Sequence, residues 1–434
     1  MTLLAGVVAL VIGTVQAGGP FEVGERLKAL DVAWLQTASH ERRLLALPHI
    51  GRAMGAISGS RSDEACQALD EAVAVLEDRK PLPEDAISLR FDPPIAEPGK
   101  PAMLSVSWAY QPSAPSTVQV GVGPRQVPLL SGRSVVLEVL PWNLNAELRT
   151  SPEAGYLVPV QVGSRQRSAY LSIVRNGRQR IRSLAAAKNP TSRSLGRELA
   201  RQLTLGRSRE YDHPLIQWLF LAEQLESGET ELYEAEHLPY VEAGSTPIRA
   251  VFPKEACEAP AQSTPVNVVL AFSGGWGSEN SFFETYGRGI AVEHAVKRGW
   301  AFVSARATDS AAMDVTRWLV SARKLKIGKL FVLGHSSGCA QAMSAYEASP
   351  KPTAAAILAP GFTAFLKAWT ELPIYMAVGK QESERRRAAI GSLARELEAR
   401  PDFRFEEVEG SDHLMVVANA IPSAFEFFDT HAKD

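Results

Sequence analysis

"KLFVLGHSSGCAQAM", residues 329–343, decides how the rest of the chain is read. Leu330 to Leu333 is an apolar run of strand length and "CAQAMSAYEA" is a small-residue helix, so Gly334, His335, Ser336, Ser337 and Gly338 fall on a strand-to-helix turn. A serine at the apex of such a turn is strained, with its hydroxyl projecting. The residues two positions to either side crowd it unless they lack a side chain. Ser336 is therefore the candidate nucleophile, and His335, its neighbour in so tight a turn, points away from the hydroxyl and is read as a packing residue.

Working outward, strands alternate with helical periods from about Tyr233 onward: "IRAVFP", "VNVVLAFSG", "YGRGIAVEHAVKRG", "WAFVSA", "AAMDVTRWLVSARKL" and "KLFVLG". Continuously apolar strands separated by helices predict a mostly parallel sheet covered on both faces, an α/β domain over residues 233–434. The chain before it reads differently. Residues 18–85 carry helical spacing, with Ser62, Asp63 and Glu64 as a helix start and "KPLPED" as its stop. Residues 86–183 break into short alternating runs divided by Pro and Gly turns, which predicts a β-sandwich. Residues 184–232 form a helical connector. The end of the sandwich, "SAYLSIVRNGRQRIRSL", reads as a hairpin turning at Asn176 and Gly177. Its arginines, 165, 167, 175, 178, 180 and 182, are read as charge that protects an edge strand, leaving a glycan or protein contact through the sandwich as the other use.

Composition narrows the classes. A chain of 434 residues exceeds what one core sustains, so two or three domains are expected. A formal charge of -2 gives no global field for nucleic acid, and no basic stripe interleaved with aromatics points to one. Residues 1–17 combine an uncharged apolar run with a Val15, Gln16, Ala17 ending, the pattern of a cleaved export signal; the missing basic residue ahead of the run keeps an uncleaved anchor open. The expectation is an exported chain with no membrane span after cleavage. Cys66, Cys257 and Cys339 show no metal spacing and allow at most one disulfide.

A serine hydroxyl is a poor nucleophile and needs a base, which in turn needs an orienting acid. For an elbow of this type the chain order is Ser, acid, His, and only His413 and His431 lie downstream of Ser336. His413 follows the strand-like "FRFEEVEG", whereas His431 is in the terminal tail, so His413 is the candidate base. Glu382, just past the apolar run "PIYMAVG", is the best acid by elimination, with Asp412 as the alternative. Developing charge on a carbonyl oxygen needs N–H donors. The Ser337 backbone supplies one. The loop Ser273, Gly274, Gly275, Trp276, Gly277 can turn in another. Trp276, Phe282 and Phe283 are candidates to line an apolar pocket.

"VVLAFSGGWGSENSFFETYGRG", "KLFVLGHSSG", "YMAVGKQE" and "GSDHLMVVANAIPSAFEFFDTH" together resemble the α/β-hydrolase superfamily, in particular exported carboxylesterases similar to polyhydroxyalkanoate depolymerases, dienelactone hydrolases and the catalytic domain of prolyl oligopeptidases. The resemblance covers roughly the last 200 residues. It implies Ser336 as nucleophile, His413 as base, Gly274 to Trp276 as oxyanion donors, and neither metal nor organic cofactor. A small-molecule or polymeric ester is the substrate it suggests. Two departures stand out: Ser273-Gly274 where relatives commonly open that loop with His-Gly, and Glu382 where they usually carry Asp. A peptidase of the prolyl oligopeptidase type and a silent binding protein on a hydrolase scaffold are the alternatives.

Overall fold

A computed structural model of the chain describes residues 18–433 apart from 115, 124, 141–152, 206–214, 261, 309 and 362–370. The segment read as an export signal, 1–17, lies outside the described residues. Among the described residues no helix is long and apolar enough to cross a membrane.

The chain divides into two compact units, one formed by residues 1–30 and 52–227, the other by 31–51 and 228–434. In the second unit the predicted sheet has eight strands: β1 (His237–Ala243), β2 (Thr246–Val251), β3 (Val266–Phe272), β4 (Ala301–Ala305), β5 (Ile327–His335), β6 (Ala354–Leu358), β7 (Ile374–Gly379) and β8 (Phe403–Val408). Their spatial order is 8-7-6-5-3-4-2-1. Strands β3 to β8 pair in parallel, while β2 runs antiparallel to both β1 and β4. The sequences of β4, β6 and β7 contain no alternating polar face because both sides are covered: every residue of these three strands is buried. The closing helix, Met415–Ala432, lays Phe428 against Phe331 of β5, ring centroids 4.8 Å apart, and Phe331 stacks in turn on Trp300 at 5.0 Å. This core fixes the carboxyl ends of β3, β5, β7 and β8 along one rim.

The first unit holds two sheets. One has three antiparallel strands, Ile87–Phe91, Ala102–Trp108 and Val135–Val139. The other has five, with the long hairpin Ala154–Val162 and Arg165–Ile173 at its centre. Buried side chains of both sheets, among them Leu89, Leu104, Trp108, Val120, Val160 and Leu171, form one hydrophobic cluster.

The expected turn at Asn176 and Gly177 is not a hairpin. Gly177–Leu184 is a helix, started by Asn176 in the left-handed conformation at φ 53°. Gly177, Ile181 and Leu184 are buried at helical spacing, and that periodicity outweighs the Asn-Gly signal. The hairpin closes earlier, at Gly163 and Ser164. Three of the arginines are engaged within the unit: Arg165 bonds Asp85 at 3.0 Å, Arg167 donates to the Ile87 carbonyl at 2.6 Å, and Arg180 pairs with Glu223 at 2.6 Å and with Glu153. Arg167 and Arg180 are thus tied into the unit rather than set out along an edge.

Candidate active site

The elbow forms as its glycines require. Ser336 sits at φ 54°, and its N–H and C=O are tied to the neighbouring strand end, to the Leu358 carbonyl at 3.0 Å and the Gly361 N–H at 3.1 Å. A Cβ on Gly334 would lie 2.6 Å from the Cys339 Cα, and one on Gly338 would run into the Phe272 carbonyl. Both clashes are with backbone, which cannot yield as a flexible side chain can. Close packing of the following helix (Gly338–Ser344) against β3 and β5 therefore demands glycine at both positions, and it costs one serine a left-handed backbone.

His413 lies on the loop between β8 and the closing helix, where Gly410 turns the chain at φ 60°. Its ring meets the elbow. The Ser336 hydroxyl donates to His413 Nε2 at 2.9 Å, and His413 Nδ1–H donates to Glu382 Oε2 at 2.6 Å. Glu382 follows β7, is buried, and takes the Ser383 N–H on its other oxygen at 2.8 Å. Burial pushes its carboxyl up, but the His413 contact, the Ser383 N–H and the nearby Arg386 outweigh it and hold the group below its ordinary value. The three residues singled out in the sequence are brought together. Asp412, the alternative acid, is directed elsewhere: its Oδ1 accepts the Leu414 and Met415 N–H groups at 3.0 and 2.9 Å, capping the closing helix. Arg386, absent from the sequence reading, places Nη1 3.0 and 3.2 Å from the two ring nitrogens of His413. Both nitrogens already have partners, so the guanidinium lies over the face of the ring.

The oxyanion loop needs a correction. Gly274, expected as a donor, spends its N–H on the Tyr286 hydroxyl oxygen at 3.3 Å. Gly275 and Trp276 are the candidates left on this loop, beside the Ser337 N–H. A Cβ on Gly275 would come within 3.1 Å of Ser337 Oγ, so loop and elbow approach closely here. Ser273 is fully buried and braces the loop by donating to the Ser278 carbonyl at 3.2 Å.

Of the three aromatic residues assigned to a pocket, Trp276 and Phe283 are partly open, and Trp276 stands edge-on to Tyr286 with centroids 6.1 Å apart. Phe282 is wholly buried between Tyr286 and Phe302, and Phe283 lies under the Arg249 guanidinium at 4.4 Å. Phe282 is core, and the apolar-pocket expectation fails for it.

His335 does more than pack. It is fully buried, accepts from the Tyr286 hydroxyl through Nδ1 at 2.8 Å, and donates from Nε2 to the His413 carbonyl at 2.9 Å. This chain of bonds fits only the neutral ring. Burial, with the adjacent His413 ring, pushes its pKa down to about 3. A base depressed in the folded state binds fewer protons than in the unfolded chain, so its contribution is intact above pH 6.5 and is lost as pH falls toward 3. Against a His335→Asn variant, urea unfolding of the wild type should therefore lose ~1.4 kcal/mol more per pH unit between about pH 6 and 3. Parallel stability profiles for the two proteins would contradict the buried neutral ring.

The three cysteines are free thiols, and burial raises the Cys339 thiol well above its ordinary range. Among the described residues no His, Cys, Asp or Glu side chains gather into a set able to hold a metal ion.

An eight-stranded sheet of this order, with a serine elbow after β5, an acid after β7 and a histidine after β8, is the α/β-hydrolase fold. Solved structures of that kind align with about half of the chain. Est1E from Butyrivibrio proteoclasticus covers 46% of it at 13% identity and TM-score 0.36, with 100% of its own chain aligned. A dienelactone hydrolase from Anabaena variabilis covers 45% at 16% identity and TM-score 0.37, with 99% of its own chain aligned. An esterase from Thermogutta terrifontis, bound to propionate, covers 47% at 15% identity and TM-score 0.35, with 96% of its own chain aligned. No family model and no curated protein matches the chain.

Proposed function

We propose that the chain is a serine hydrolase that cleaves carboxylic esters through an acyl-enzyme intermediate. The observation that carries this reading is the run of two hydrogen bonds, Ser336 Oγ to His413 Nε2 at 2.9 Å and His413 Nδ1 to Glu382 at 2.6 Å, on a strained elbow. With Nδ1–H committed to the carboxylate, Nε2 carries the lone pair and takes the Ser336 proton as Oγ attacks the carbonyl carbon. The oxyanion is met by the Ser337 N–H and by an N–H of Gly275 or Trp276. The imidazolium then protonates the leaving alkoxide, the alcohol departs, and water activated by the same nitrogen releases the acid. An ester is preferred to an amide because its alcohol leaves with less help, and no acidic pair to grip a peptide amino terminus is seen in the sequence.

A fluorophosphonate forms a covalent bond only with an activated serine. Wild-type protein should be labelled at Ser336, with labelling abolished in Ser336→Ala, and should turn over short-chain nitrophenyl esters. Folded wild-type protein that takes no label would reject the hydrolase in favour of a binding protein on this scaffold.

A further inference from the structure

The hydrolase unit includes a piece of chain from far upstream, residues 31–51, separated from the remainder by the whole of residues 52–227. Its first residue, Asp31, is 5% exposed. Its carboxylate faces the Gly287 and Arg288 backbone N–H groups, while Oδ2 is buried without a partner. These amides belong to a turn of four successive left-handed residues, Tyr286, Gly287, Arg288 and Gly289, at φ 54°, 77°, 57° and 80°. Two of the four carry side chains, each costing about 1 kcal/mol or more in that conformation. Such a turn persists only when something outside it holds it, and N–H groups converging from a turn hold an anion.

Tyr286 is the side chain this turn presents to the site. Its hydroxyl oxygen receives the Gly274 N–H, and its proton goes to His335 Nδ1, whose other nitrogen holds the His413 carbonyl. The same upstream segment reaches the second half of the site as well. His40 packs where a Cβ on Gly410 would stand, its Cε1 3.1 Å away, in the loop that leads to His413.

We propose that Asp31 is a positioning residue for the hydrolytic reaction: by holding the left-handed turn it fixes Tyr286, and through Tyr286 it sets the oxyanion loop and the His335–His413 contact together. The inference rests on the serine hydrolase reading. Burial pushes the Asp31 carboxyl up to about 7 against the pull of the two amides and Arg288, so near neutrality it is part acid and part anion. An asparagine sets an oxygen before the same two N–H groups.

The test uses the full chain and measures, for each variant, the rate per active site counted by fluorophosphonate titration. That ratio is insensitive to a fraction of protein lost to misfolding. Asp31→Ala should lower kcat for nitrophenyl acetate and the phosphonylation rate by the same factor, about 10- to 100-fold, with KM little changed. Asp31→Asn should recover most of the loss. Tyr286→Phe, which deletes both hydroxyl bonds, should fall in the same range, and the Asp31→Ala/Tyr286→Phe double variant should be no worse than the poorer single one, because the two act in series. If Asp31→Ala does not fold, Asp31→Asn and Tyr286→Phe still decide the matter: full loss in Asp31→Asn, or wild-type rates in Tyr286→Phe, overturns the proposal. Rates per site within twofold of wild type in Asp31→Ala, or multiplicative losses in the double variant, also overturn it. These results would leave the hydrolase reading standing, whereas wild-type protein inert to the phosphonate would remove both.

Discussion

Ser336→Ala and His413→Ala each lower kcat for an activated ester by about a millionfold, and the double variant is no slower than either alone. The magnitude follows from how the pair acts. At 2.9 Å the Ser336 hydroxyl and His413 Nε2 form one reacting unit, since an alcohol not stripped of its proton barely attacks an ester and a base with no hydroxyl beside it has nothing to activate. Removing either member therefore removes the whole effect. A residue of about a thousandfold over water survives in both variants, supplied by the Ser337 and loop N–H groups and by binding. KM stays near the wild-type value, because neither side chain is asked to hold the ground state. Losses that multiply in the double variant would mean that two residues work in separate steps, which the observed contact does not allow. Full activity in His413→Ala would send the search for the base back to the beginning.

The three candidate residues were legible because each follows closely on a strand-like run. "KLFVLG", "PIYMAVG" and "FRFEEV" become β5, β7 and β8, and parallel strands necessarily deliver the residues that follow them to one rim. The reading set Glu382 ahead of Asp412 by elimination and by its place just past an apolar run, and the structure supplies a further reason in the cap that Asp412 makes for the closing helix. What stayed hidden depends on contacts that sequence spacing does not encode. Asp31 and Tyr286 are more than two hundred residues apart, and an isolated Asp in an amphipathic helix gives no sign that it faces backbone amides. "TYGRG" held the only clue, two glycines in a five-residue stretch, and it does not say that Tyr286 and Arg288 share their conformation. Gly274 shows the complementary limit. A glycine-rich loop announces close backbone approach, but which N–H faces substrate depends on which has already been taken, here by Tyr286. The same ambiguity misled the Asn176-Gly177 reading, since a left-handed asparagine serves a hairpin turn and a helix start equally well.

Glu382→Gln lowers kcat by about a hundred- to ten-thousandfold while leaving the fold and KM close to wild type. Glu382 accepts from two donors at once, His413 Nδ1–H at 2.6 Å and the Ser383 N–H at 2.8 Å, and a carboxylate can satisfy both. An amide cannot. If its oxygen keeps Ser383, its NH2 faces Nδ1 and forces the proton to Nε2, leaving no lone pair to receive the Ser336 proton, which is the ten-thousandfold limit. If it flips to serve His413, the NH2 meets the Ser383 N–H, a buried bond is lost, and about 1–3 kcal/mol sets the smaller limit. Either way the imidazolium formed during attack loses the neighbouring negative charge that stabilises it. In the wild type that charge persists into mild acid, because the Glu382 carboxyl is held below its ordinary value. Glu382→Asp should also be impaired, since shortening the side chain by one methylene withdraws the carboxylate from a 2.6 Å contact. Turnover in Glu382→Gln within threefold of wild type would show that the carboxylate does not orient the base, and with Asp412 engaged at the helix cap no other acid bonded to His413 stands among the described residues to take over.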